Sequence, residues 1–301
     1  MEFGRSPARR EIHTSRVWGI AALMLVATAG CQGSRPSLTQ LMDVRRIAAD
    51  LRVEFSHAAD ATNQAVMADT DEMSAAAARE AEQAIEATQQ SAAAVRRLLQ
   101  DLGYSDELRL LGEFDRELAE YRALDKTILA LAVENTNLKA QRLAFGPVQD
   151  AADAFFSSLE AIAGAVPSRD ACCVGALLAK AVSAVREIQV LQARHIAESD
   201  EAIMTRIEGR MAAAETTARG AVADLTRQLP ATPRSQLSVS IDALDRFTRQ
   251  NTELLTLSRR NSNVRSLALS LGRKRTLTAA CDDTLRALQD ALSKRGFNAT
   301  R

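Results

Sequence analysis

"ENTNLKAQRLAFG" runs from Glu134 to Gly146, and "RNSNVRSLALSLG" runs from Arg260 to Gly272. The shared pattern Asn-Thr/Ser-Asn-Leu/Val-Lys/Arg recurs 126 positions on. The match continues upstream, where Leu118, Tyr121, Ile128 and Leu131 stand against Leu244, Phe247, Leu254 and Leu257. Helix termini account for the polar residues of the pattern. After Gly, Asn enters the left-handed backbone region most readily, so Asn135 and Asn261 suit the position just past a helix end. Asn137 and Asn263 then suit the N-cap of the following helix, where a short side-chain oxygen accepts from a free N–H.

A second motif pair precedes the first in each copy. "ADTDE" (Ala68 to Glu72) matches "AESDE" (Ala197 to Glu201) at an offset of 129. Thr70 and Ser199 suit N-caps, and the acidic pairs after them place negative charge against the helix dipole. Two motifs in the same order predict a tandem duplication. The three-residue slip between offsets falls in the connections "LGYSDE" (Leu102 to Glu107) and "LPATPRS" (Leu229 to Ser235), where insertions are tolerated.

The 301 residues are 47% hydrophobic but only 4% aromatic, with 13 Gly and 6 Pro. Helix formers dominate and strand formers are few, so the composition predicts an all-α fold. The shortage of rings also argues against a stacking platform for single-stranded nucleic acid. Apolar residues at three-four spacing, such as Leu111, Phe114, Leu118, Tyr121 and Ile128, mark helix stripes. Helices are expected near 38–68, 72–101, 106–134 and 137–165, and again near 171–197, 200–229, 235–260 and 263–296. Short connections between them predict tandem up-down-up-down four-helix bundles, 38–166 and 171–301, joined by a linker at 167–170. The alternative is that the motifs do not break the chain, which gives one long four-helix bundle from two long hairpins.

The first thirty residues read as a signal. Arg5, Arg9, Arg10 and Arg16 precede the apolar run Val17 to Gly30, which is too short to span a bilayer. "TAGC" (Thr28 to Cys31) resembles a bacterial lipobox, with Thr28 where Leu is usual. That resemblance implies lipidation of Cys31, a tether at 31–37 and a membrane anchor. Gln32 after the Cys implies the outer membrane facing the periplasm. An ordinary signal cleaved near Ala29, and an inner-membrane or soluble periplasmic location, are the alternatives.

"LAEYRALDKTILALAVENTNLKAQRLAFGPVQDAADAFFSSL" (Leu118 to Leu159) resembles the third and fourth helices of the four-helix-bundle sensor domain of methyl-accepting chemotaxis proteins. "VREIQVLQARHIAESDEAIMTRIEGRMAAAE" (Val185 to Glu215) is similar to that domain's first two helices. The resemblance implies a small-molecule binding role outside the inner membrane. It does not imply transmembrane signalling by this chain, because the second membrane span and the cytoplasmic methylation hairpin of that family have no counterpart in the sequence.

The sequence carries no nucleotide loop, HExxH, GxSxG or Cys-x-x-Cys pair, and His13, His57 and His195 are far apart. No cofactor, metal or catalytic residue is therefore assigned, and the chain reads as a non-enzyme. Cys281 falls on a core stripe in line with Phe155 and suits a small buried hydrophobe, with a bridge to Cys173 as the alternative. Asp125 and Asn251 occupy the same position on the apolar stripe of each copy. Each reads either as a ligand contact or as an interhelical hydrogen bond that sets register.

Charge separates the copies. Residues 38–166 carry 12 Lys/Arg and 22 Asp/Glu, and 171–301 carry 20 and 13. Arg259, Arg260 and Arg265 around the second Asn motif are candidates for anion binding, and attraction between the acidic and basic copies is the other reading. Two functions follow as expectations. One is a lipid-anchored, sensor-like protein that binds a small molecule or an envelope protein, without nucleic acid. The other is a structural or assembly spacer of the envelope whose basic copy meets an anionic surface.

Overall fold

The computed structural model describes residues 38–229 and 234–298. The signal at 1–30, Cys31 and the tether lie outside the described residues. Helix is the only regular structure among those described: α1 Leu38–Met67, α2 Asp71–Leu102, α3 Ser105–Glu134, α4 Thr136–Phe145, α5 Pro147–Ala165, α6 Ala171–Ala197, α7 Glu201–Gln228, α8 Arg234–Arg260, α9 Ser262–Leu269 and α10 Arg275–Asn298. A π-turn, Ser270–Lys274, links α9 to α10. No helix among the described residues is long and apolar enough to cross a membrane.

The helices fall close to where periodicity places them, but they are shared differently between the bundles. Helix α5 packs along α8, and α10 packs along α3. One core joins side chains of α4 through α8, and the others join α1, α2 and α3 with α9 and α10. Each half of the chain therefore gives its fourth helix to the other half. The expected division into 38–166 and 171–301 bundles is corrected to two units: 38–134 with 262–298, and 136–260. The reason is local. A single residue, Asn135 at φ 49° or Asn261 at φ 51°, separates the third helix from the fourth. One left-handed residue redirects a helix, but it is too short to carry the chain across the 8–10 Å to an antiparallel neighbour. The fourth helix therefore runs on into the other unit.

Electrostatics favours the exchange. With fourth helices exchanged, the first unit holds 17 Lys/Arg against 22 Asp/Glu and the second holds 15 against 14. The net charges of −10 and +7 expected for unexchanged copies become −5 and +1, so each unit repels itself less. Arg295 of α10 forks onto Glu107 of α3 at 2.8 and 2.9 Å, holding that buried carboxyl below the usual Glu range. Thr284 of α10 donates to Glu117 of α3 at 2.9 Å.

The repeated Asn motif forms the crossing. Thr136 N–H donates to Ser262 Oγ and Ser262 N–H to Thr136 Oγ1, both at 3.0 Å. Asn137 N–H donates to Asn263 Oδ1 at 3.1 Å, and Asn263 N–H to Asn137 Oδ1 at 3.2 Å. The amides add Asn137 Nδ2 to Asn261 Oδ1 at 2.8 Å and Asn263 Nδ2 to Asn135 Oδ1 at 2.9 Å. Asn137 and Asn263 are thus not caps of their own helices, as the sequence suggests. Each caps the first turn of the other's helix about a local two-fold relation. Glu134 and Arg260, equivalent by sequence, face each other there at 2.6 Å.

The cap at the other motif also moves by one residue. Thr70 Oγ1 accepts from Met73 N–H, but in the second copy Asp200, not Ser199, accepts from Ala202 and Ile203 N–H. The buried stripes agree: Val44, Leu51, Phe55 and Thr62 lie 130 positions before Val174, Ala181, Val185 and Gln192. Burial sets the true offset, whereas the shared letters of the two turns suggest 129.

Candidate functional site

Both fourth helices break at equivalent glycines. Gly146 precedes Pro147, which lacks the N–H needed to continue the ladder, and a Cβ on Gly146 would lie 3.0 Å from the Arg142 carbonyl oxygen. Gly272 breaks through the π-turn, a feature that often accompanies a site. Two residues beyond each glycine a side chain enters the core. In the second unit it is Val148; in the first it is Lys274, 2% exposed.

The Lys274 ammonium donates to the Ala59 carbonyl at 2.9 Å and to Asn63 Oδ1 at 3.2 Å. Ser270 Oγ donates to the same Asn63 oxygen at 3.2 Å, and the Tyr121 ring centroid lies 5.8 Å from Nζ. Burial pushes Lys274 down to about 8, against the pull of the Asp125 and Asp60 carboxylates. Burial likewise raises Asp125, opposed by the Thr62 hydroxyl and Lys274. The Tyr121 hydroxyl is buried beside Asp125 without a partner in hydrogen-bonding geometry.

Asp125 accepts from Thr62 Oγ1 at 2.8 Å, and Asn251 accepts from Gln192 Nε2 at 2.8 Å. Each ties the third helix of its copy to the first, and neither lines the groove beside α1 or its counterpart in the second unit. Of their two readings, the geometry is that of register-setting bonds. Asp125 adds a charge behind Lys274, which does face a cavity.

That cavity is a groove of about 940 Å³ between α1 and the α9–α10 segment, open along one side. Lys274 and Asn63 form part of its floor, Val66, Met67, Leu267 and Leu271 line it near the helix crossing, and Arg52 and Arg286 bracket Asp282 toward the other end. The equivalent position in the second unit holds only about 160 Å³. There Gln189 of α6 donates to Gln149 of α5 at 2.9 Å across the gap. The corresponding residues of the first unit, Ala59 and Arg275, make no such bridge.

The arginine candidates are largely engaged. Arg259 forks onto Glu208 at 2.7 and 2.8 Å, and Arg260 pairs with Glu134, while Arg265 is exposed. Cys172 and Cys173 are exposed, Cys281 is buried and all three are free, so no Cys173–Cys281 bridge forms. Burial pushes the Cys281 thiol up to about 12, which suits an inert hydrophobe.

One constellation escaped the sequence. His195 is fully buried, with Nδ1 2.8 Å from Ser258 Oγ and Nε2 2.9 Å from Glu208 Oε1. These are the residue types of a nucleophilic triad with the two ring nitrogens reversed, but Ser258 is itself buried, its hydroxyl donates to the His195 carbonyl oxygen at 3.1 Å, and neither residue lines the groove or its counterpart. A nucleophile needs a substrate carbonyl within reach, so the three residues act as a packing network at the end of α6. Spacing could not reveal it, because 13 and 63 residues separate the partners. No group of three or more His, Cys, Asp or Glu among the described residues is placed to hold a metal.

Compared with known proteins, the chain matches no protein-family model and is not significantly similar to any curated protein, so its function has to be argued from the groove and its lining residues.

Proposed function

We propose that the protein is an exported, lipid-anchored binding protein of the bacterial envelope, non-enzymatic and sensor-like, that takes a small molecule into the α1/α10 groove. The groove carries the reading. Its volume lies within the range of small-molecule sites, and its walls are mainly apolar with a few convergent polar groups. A buried lysine at such a site costs stability, which a purely structural position would avoid with the Val that stands at 148. The exported address rests on the N-terminal signal and Cys31, and the sensor-like role on the resemblance of the helices. The spacer reading draws less support, because Arg259 and Arg260 already hold carboxylates and the exchanged helices cancel most of the charge difference.

The test is a thermal-shift screen of the full chain against amino acids, organic acids, amines and cell-wall fragments. A ligand that binds the folded state raises the melting temperature with concentration. The expected result is a saturable shift that Leu271→Gln or Arg275→Gln abolishes. A shift that both variants keep would move binding out of the groove. No shift at all, with salt-sensitive self-association instead, would favour the spacer.

A further inference from the structure

We propose that the ligand is a single-chain carboxylate amphiphile, its carboxylate held by Lys274 and Arg275 and its chain laid along Val66, Met67, Leu267 and Leu271. This rests on the small-molecule reading above and names the class of ligand.

The head group follows from the donors. An ammonium has three N–H bonds, and Lys274 uses two, on Ala59 and Asn63. The third remains for an oxygen entering from the groove. Arg275, exposed on the adjacent wall, makes no ion pair or side-chain hydrogen bond among the described residues. An anion arriving there meets one buried and one unpaired cation. It also supplies the close counter-charge that Lys274 otherwise draws only from Asp125 and Asp60. A neutral head could accept the third N–H bond but without the charge assistance of a carboxylate, and a cationic head would leave it unmet and be repelled, each at a cost in affinity.

The chain follows from the wall. Met67 and Leu271 are 68% and 65% exposed, and with Leu267 they form a contiguous apolar lip at the crossing end of the groove. An exposed cluster of this kind marks a binding surface more often than a random one. The groove is elongated: from Ala49 to Met67 it follows α1 for about 27 Å at 1.5 Å per residue. An extended chain matches that shape and brings its own head group to the Lys274 ammonium, whereas a partner helix would meet Lys274 only through a side chain.

The second unit serves as an internal control. At the equivalent positions it has Val148 for Lys274, Gln149 for Arg275 and Gln141 for Leu267, and its gap is bridged by glutamines. It keeps the backbone break and the apolar Phe145 and Ile196 at the places of Leu271 and Val66, and loses head group and space together.

The experiment is calorimetric titration of the full chain with decanoate below its micelle concentration, beside butyrate and 1-decanol. Decanoate is expected to bind at one site, with butyrate and decanol at least about tenfold weaker, which corresponds to one lost charged or apolar contact. Lys274→Met should weaken decanoate by about tenfold or more and decanol by much less, while Leu271→Gln weakens both. Equal affinity for decanoate and decanol, or unchanged decanoate binding by folded Lys274→Met, would overturn the assignment. If Lys274→Met does not fold, the exposed variants Arg275→Gln and Leu271→Gln replace it, with the same expectations for head and tail. A compact ligand from the thermal screen that binds the groove where decanoate does not would overturn the amphiphile alone. Binding of neither by the folded chain would overturn both readings.

Discussion

The two units share one backbone plan and differ in what they bury at the same place. Below the kinked glycine the first unit buries Lys274, Asp125 and Tyr121, and the second buries Val148, Asn251 and Phe247. One set is charged and beside an open groove; the other is amide or apolar and closed. The two positions are equivalent by sequence, and only one keeps the buried charged groups. The difference shows where the molecule spends stability on something other than folding. The second half of the chain supplies the fourth helix of the first unit, and the first half supplies that of the second.

The largest expected effect tests whether the units are exchanged at all. Fragments 38–166 and 167–301 each lack the fourth helix of their own unit. Neither alone should melt cooperatively by circular dichroism, and mixing them should restore a single transition. Cooperative folding of either fragment by itself would break the comparison at its root.

The crossing comes next. Asn137→Ala removes bonds to Ile196 and Asn261 and the acceptor for Asn263 N–H. It should cost about 2 kcal/mol, read as a melting point lower by about 5 °C. Asn263→Ala should cost slightly less, because its Nδ2 donates to Asn135 alone, whereas Asn137 Nδ2 donates to both Ile196 and Asn261. The double variant should cost less than the sum, since each residue caps the other's helix. Full additivity would show that the two asparagines act independently.

The buried lysine makes the units differ in pH dependence. Folded Lys274 loses its proton near 8, while an unfolded lysine keeps it to about 10.5. Unfolding therefore takes up a proton in that window, and stability contributed by this site rises as pH rises from 8 to 10.5. Relative to Lys274→Met, the wild type should gain up to about 3 kcal/mol across it by denaturant titration. A parallel pH profile for the two proteins would show that Lys274 is hydrated like a surface residue. Glu107 has the opposite sign at the acid end: Arg295 lowers its pKa, so its contribution is present above the ordinary Glu value of 4.5 and is lost as pH falls through the folded value. Glu107→Gln should flatten that acid loss in the same denaturant titration.

The smallest effect concerns the closed groove. Replacing Gln149 by Ala removes the bridge to Gln189 in a part-buried gap and should cost no more than about 0.5 kcal/mol. A larger loss would mean that the bridge holds α5 against α6, and that the second groove is closed by necessity.

Much of this molecule was legible in its residues. Three-four periodicity, polar turns and composition set the helices and their ends within a residue or two, because these signals act within a few residues, but they missed the breaks at Gly146 and Gly272 that split the helices expected at 137–165 and 263–296. The left-handed positions of Asn135 and Asn261 could be read in the same way. Partner choice could not. The fourth helices carry the same buried phase, Phe155 and Leu159 in one and Cys281 and Leu285 in the other, so either stripe fits either set of three helices. What selected the exchange is a one-residue connection too short to reverse the chain, reinforced by opposite charge on the two halves, which became decisive only once the helices were placed in space. The buried state of Lys274 and the groove above it arise the same way. A lysine two residues past a glycine reads as surface, and only packing against Ala59 and Asn63, more than 200 positions away, brings it into the core.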